Sequence, residues 1–84
     1  MEVIYHSKFQ KHLLKYKSSR KKIDTVLKIF IEKPLNPKLK THKLSGKLKN
    51  YWSFSIDYQL RIVFRFLDKN KVFLLDIGTH EIYQ

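Results

Sequence analysis

The hydrophobic period of this chain changes once, from that of a helix to that of a strand. That change confines the fold to a helical half packed against a sheet. Ile23, Val26, Leu27, Phe30 and Ile31 stand at i, i+3, i+4, i+7 and i+8, one apolar stripe, and Pro34 ends it. From Tyr51 the spacing is two. Trp52, Phe54 and Ile56 alternate with Ser53, Ser55 and Asp57, then Leu60, Ile62, Phe64 and Phe66 alternate with Arg61, Val63 and Arg65. "LDKNK" reads as a hairpin turn, and the nearly all-apolar "VFLLDI" as a central strand covered on much of both faces.

The flanks complete the pattern. "EVIYH" suits a short first strand, and Ser7 with Gln10 three residues on reads as a capping box. Phe9, Leu13 and Tyr16, with Leu14 beside them, predict a helix to about Lys17. "SSR" breaks it, and Ser18 or Ser19 can cap the next helix, so the two form a helical hairpin. Lys11, Lys15, Lys17, Lys21, Lys22 and Lys28 fall on its polar faces. "KPLNPKLKTHKLSGKLKN" is a basic connector, extended by its prolines and turned at Gly46. No internal repeat or low-complexity tract is visible. The expected fold is α+β: a single β-α-α-β-β-β domain over residues 1–84, a twisted antiparallel sheet with an N-terminal helical hairpin packed on one face.

Composition enters where it excludes. A chain of 84 residues buries only roughly 60–65% of its unfolded surface. Its 43% hydrophobic content, with six Phe and five Tyr, still allows a real core. It has no cysteine, which rules out disulfides and thiolate metal sites. "MEVIYHSKFQ" shows no export signal, and no apolar run approaches the ~20 residues of a membrane span, so a cytoplasmic protein without membrane contact is expected. Eighteen Lys and Arg against seven Asp and Glu give +11, which calls for an anionic partner unless it is only a solvated lysine-rich surface.

The alternation also assigns two unlike sheet faces. Trp52, Phe54, Ile62, Phe64 and Phe66 should meet the helices, whereas Ser53, Ser55, Arg61 and Arg65 should stand over an open polar face. Two arginines there make a plausible phosphate-binding surface. The plainer reading is that they pair with Asp57, Asp76 or Glu81. His6 and His12 are six apart, wrong for one helical face, and receive no role. Asp76 with His80 gives too few ligands for a metal. No cofactor is called for.

"YHSKFQKHLLK", "HKLSGKLKNYWSFSI", "LRIVFRF" and "VFLLDIGTHEIY", in this order and spacing, resemble the RelE/ParE toxin superfamily of type II toxin–antitoxin systems. The resemblance covers nearly the whole chain, and the fold it implies agrees with the one read above. It implies one of two activities: ribosome-dependent cleavage of messenger RNA in the A site by RelE-like members (mRNA interferases), or poisoning of DNA gyrase by ParE-like members. "GTH" after the last strand resembles the YafQ-like cleaving toxins, which carry a catalytic histidine there, and "HKLSG" resembles their His-x-Leu-x-Gly segment. His80 and His42 are the matched positions. Arg61 in "LRIVF" matches the strand arginine that stabilises phosphate in RelE-like members. The chain departs from the pattern at Ser53 and Ser55, where many cleaving relatives carry Lys, Arg or His.

Read with the chemistry of metal-free RNA cleavage, the resemblance gives each residue an expected role. His80 is the general acid. Arg61 binds the scissile phosphate, with Arg65 supporting it. His42 is a base or a positioning group. Tyr83 stacks on a base or orients the substrate, and Lys47 and Lys49 grip flanking phosphates. The expected function is a metal-independent endoribonuclease toxin acting on messenger RNA on the ribosome, held by a cognate antitoxin in a hetero-oligomer. The alternatives are a ParE-like gyrase inhibitor and a non-catalytic basic nucleic-acid-binding relative.

Overall fold

Glu2–Tyr5 (β1), His42–Lys43 (β2), Trp52–Ser55 (β3), Arg61–Asp68 (β4) and Lys71–Gly78 (β5) form one sheet in the order β1-β5-β4-β3-β2. The computed structural model describes residues 1–48 and 50–79. Two helices, Ser7–Leu13 (α1) and Arg20–Glu32 (α2), complete an α+β fold. Among the described residues no helix is long and apolar enough to cross a membrane.

The β3, β4 and β5 neighbours are antiparallel, as the alternation requires. The pair at the β1 edge is not: β1 runs parallel to β5, with Glu2 opposite Lys71 and Tyr5 opposite Leu74. A parallel pair needs a long crossover, and here everything between the first and last strands supplies it. The two-residue β2 adds an edge strand from within the basic connector, with His42 opposite Ser53.

The first helix differs in detail from the sequence reading. His6, not Ser7, is the cap: it keeps extended backbone angles and its Nδ1 accepts the Lys8 N–H at 2.9 Å. The Gln10 amide reaches back to the Tyr5 carbonyl instead of closing a capping box. The α-helix stops at Leu13, and Leu14–Ser19 continues as a 3₁₀ segment kinked at Tyr16. The kink lets Tyr16 pack on the core although it lies beyond the regular helix. Ser19 is the first flanking residue of α2, but its side chain makes no capping bond.

α2 lays its stripe on the sheet as its spacing demands. Phe30 stacks on Phe54 with centroids 4.2 Å apart and meets Phe64 edge-on at 4.8 Å. Ile23, Phe30, Phe54, Ile62 and Phe64 are fully buried together. Each such side chain contributes about 1.5–3 kcal/mol by burial. Trp52 sits at the core margin, edge-on to Phe66.

In β5, strict alternation would send Val72, Leu74 and Asp76 inward together and turn Ile77 out. A bulge prevents this. Val63 pairs with Asp76 but the next residue, Phe64, pairs with Leu74, so Leu75 is extra. Leu74 and Ile77 both enter the core, and Asp76 turns to the opposite face. A carboxylate left in the core without partners would cost several kcal/mol, which is the physical reason for the irregularity.

Candidate active site on the outer face of the sheet

The face of the sheet away from α2 is organised in rungs, because directly paired residues of neighbouring strands point the same way. One rung is Ser55, Arg61 and Gly78. The next is His42, Ser53, Val63 and Asp76. Beyond it Arg65 pairs with Phe73, against which the His6 ring packs at 5.4 Å.

This face is less open than its alternation suggests. Ser53 is 0% exposed, its Oγ has no hydrogen-bond partner among the described residues, and Val63 is buried. The connector folds back over them. The Leu44 N–H donates to the Tyr51 carbonyl at 2.8 Å, and Leu48 and Tyr51 roof a cleft over Val63. The turn at Gly46, with φ of 67°, makes this return possible.

Arg61 is held in place by neutral acceptors. Its Nη1 donates to Ser55 Oγ and its Nη2 to the Tyr58 carbonyl at 3.3 Å. Among the described residues neither Arg61 nor Arg65 forms an ion pair: Asp57 pairs with Lys22, and Asp76 with Lys8 and His12. Asp57 instead shapes the β3–β4 turn, accepting the Gln59 and Leu60 N–H groups at 2.9 and 2.8 Å. The Leu60 N–H does most to hold the Asp57 carboxyl below the ordinary carboxylate range; burial opposes it, and the Gln59 N–H, Lys22 and Arg61 assist.

Arg61 and Arg65 lie four residues apart on β4, on the same face, about 13 Å along the strand between backbones. His42 is exposed on edge strand β2, its Nδ1 3.0 Å from the Lys40 carbonyl. It is two strands and two residues from Arg61, about 12 Å between backbones, and one nucleotide can bridge them. Lys47 is exposed on the 3₁₀ turn Gly46–Leu48. Lys49, His80, Tyr83 and Glu81 lie outside the described residues.

The structure also assembles groups that the sequence reading left without a role. His12 Nδ1 is 2.6 Å from Asp76 Oδ1; a carboxylate only accepts, so the histidine donates from Nδ1. The same Oδ1 accepts the Ile77 N–H at 2.9 Å, and Lys8 Nζ stands 3.6 Å from Oδ2. The i, i+4 spacing of Lys8 and His12 on one helical face was the available signal. So was the Asp76 interruption between Leu74 and Ile77, which announces a bulge. No group of three or more metal-ligating side chains occurs among the described residues.

Comparison with known proteins bears on this geometry. The family model described as "Bacterial toxin of type II toxin-antitoxin system, YafQ" matches residues 1–83. Among solved structures, YafQ from E. coli strain BL21(DE3) aligns with a TM-score of 0.78 at 18% identity, over 94% of this chain and 92% of that one. The toxin in the E. coli DinJ-YafQ toxin-antitoxin complex aligns at 0.75 and 18%, over 94% and 91%. A metal-bound toxin from Helicobacter pylori aligns at 0.74 and 29%, over 95% and 94%. No curated protein sequence matches the chain.

Proposed function

The chain belongs to the YafQ family of bacterial type II toxin–antitoxin toxins, and from that premise we propose that it is a ribosome-dependent endoribonuclease. It cleaves messenger RNA in the A site by metal-free acid–base catalysis. The observation that carries the reading is the state of Arg61. Its guanidinium is fixed by Ser55 and Tyr58 and is not neutralised by any carboxylate among the described residues, and its backbone pairs with Gly78 of β5. His80 follows Gly78 by two residues, and two peptide units carry a chain no further than about 7 Å. That short link is the ground on which His80 is assigned to a phosphate bound by Arg61.

Cleavage begins when a base takes the proton of the 2′-hydroxyl. The 2′-oxygen then attacks phosphorus, and the bond to the 5′-oxygen breaks. Arg61 donates parallel hydrogen bonds to the non-bridging oxygens as charge builds on them. His80, protonated, supplies the proton to the leaving 5′-oxygen. His42 is the base or positions the ribose. Tyr83 stacks on a base, and Lys47, Lys49 and Arg65 hold flanking phosphates. The exposed lysines of the helices, among them Lys11, Lys15, Lys21 and Lys28, grip ribosomal RNA. The net charge of +11 favours an acidic antitoxin as the partner that silences the protein in a hetero-oligomer, as DinJ accompanies YafQ in the E. coli complex.

Primer extension on a defined message in a purified translation system, with and without ribosomes, tests the reading against His80→Ala. Cuts that need ribosomes and disappear in the variant are expected. Normal cutting by His80→Ala removes the role of His80. A folded wild type that cuts nothing but inhibits supercoiling replaces the nuclease with a gyrase inhibitor.

A further inference from the structure

The cleft over Val63 carries an inference that rests on the nuclease reading and deepens it. Val63 lies midway between Arg61 and Arg65 on the outer face of β4, about 7 Å from each. The backbones of these two arginines, neither paired with a carboxylate among the described residues, thus flank one depression of about 260 Å³. Val63 and Leu75 make its apolar floor, Leu48 and the ring of Tyr51 roof it, and the ring of His6 lines a wall. That volume falls just below the range of drug-sized pockets and suits one flat ring system with its sugar. Lys8 and Asp76 supply the polar wall.

Asp76 gives the cleft a direction. Its Oδ1 is occupied by His12 and the Ile77 N–H, while among the described residues Oδ2 meets only the Lys8 ammonium, at 3.6 Å. Oδ2 is an acceptor with capacity to spare, held on an internal strand by a bulge and tied from behind by α1. An acceptor at the edge of an apolar slot favours a base with an exocyclic amine, because uracil offers it only an N3–H flanked by two carbonyl oxygens that the carboxylate repels.

We propose that this cleft is a single-nucleotide subsite of the RNA strand, its phosphates held by Arg61 and Arg65. In it the base lies against Tyr51, and Asp76 favours an amino-bearing base over uracil. The strand runs along β4, so the subsite is adjacent to the phosphate at which cleavage occurs.

Titrating the folded protein with cytidine 3′-monophosphate and with uridine 3′-monophosphate, followed by amide chemical shifts, tests this without requiring cleavage. Saturable shifts of the Tyr51, Val63, Leu75 and Asp76 amides are expected, with uridine weaker by roughly tenfold. Tyr51→Leu weakens both nucleotides. Asp76→Asn removes the preference; because it also loosens the tie to α1, His12→Gln is the paired control and keeps the preference. Shifts scattered over the helical lysines, equal for both nucleotides, overturn the subsite, and so does a His12→Gln protein that loses the preference as Asp76→Asn does. The two readings fail separately. A protein that binds in the cleft but never cuts retains the subsite and loses the nuclease. One that cuts through His80 while the cleft stays silent loses only the subsite.

Discussion

Arg61 shows how little of a residue's role lies in its charge alone. Ser55 Oγ and the Tyr58 carbonyl take one N–H from each of two guanidinium nitrogens, which fixes the plane of the group. Lysine keeps the charge but has no such fork. Arg61→Lys should leave the melting temperature unchanged and reduce cleavage in the ribosome assay by roughly a hundredfold. Asp57 makes the opposite case, a charge whose function is structural. Its folded pKa lies below the ordinary 3.8, so its stabilisation is fully present above that value and is lost as pH falls through the lowered folded one. Against Asp57→Asn, the wild type should be more stable by about 1 kcal/mol at neutral pH. Denaturation at stepped pH should show the gap closing only in acid, below the ordinary carboxylate value. Ser53 adds a third expectation. Its hydroxyl is buried without a partner among the described residues, so Ser53→Ala should be neutral or stabilising by up to about 1 kcal/mol in chemical denaturation. Of these residues, the place of Arg61 on the outer face is legible from strand alternation. The burial of Ser53 is not, because the segment that covers it folds back from a connector with no hydrophobic period of its own.

The bulge in β5 decides which face receives which residue, and it links local sequence to the site. Leu75 is the one residue of β5 that no residue of β4 opposes within the paired stretch from Arg61 to Phe66. Its removal leaves every other pair in register, with Asp76 still opposite Val63 and Gly78 still opposite Arg61. Deleting Leu75 should therefore give a folded protein whose melting temperature falls by only a few degrees, since a bulge adds twist and not ladder bonds. The same deletion takes away part of the cleft floor, so nucleotide-induced shifts at Val63 should weaken. A deletion that unfolds the protein would show that the extra residue sets the twist on which the β4–β5 pair depends. "VFLLDI" reads correctly as an internal strand, yet a run this apolar hides its own alternation, and only Asp76 betrays the shift. The cap of α1 lies one residue before the serine that the sequence favours, for a related reason. A serine followed by glutamine is the commoner signal, and a histidine nitrogen serves as acceptor only when the strand before it ends in the right conformation.

Over the whole molecule, exposed cationic side chains lie on both the helices and the outer face of the sheet. The helical hairpin and antiparallel core were readable from period alone, whereas the parallel β1–β5 pair joins the ends of the chain and leaves no local trace. The outer face of the sheet carries the two arginines beside a cleft. Lys21 and Lys28 stand seven residues apart on exposed α2, about 10.5 Å along one helical face. If the helical face grips ribosomal RNA and the outer face handles message, the two should separate by their response to salt. Removing one phosphate-binding cation makes the log–log dependence of binding on salt shallower by about 0.7–0.9. Replacing Lys21 and Lys28 by Gln should thus change the slope of ribosome binding by about 1.5 and leave the positions of the cuts unaltered. Arg61→Lys keeps its charge, so it should leave that slope in place while cleavage falls. A slope insensitive to the α2 lysines would move the ribosome contact to the basic connector around Lys47, on the same side as the cleft.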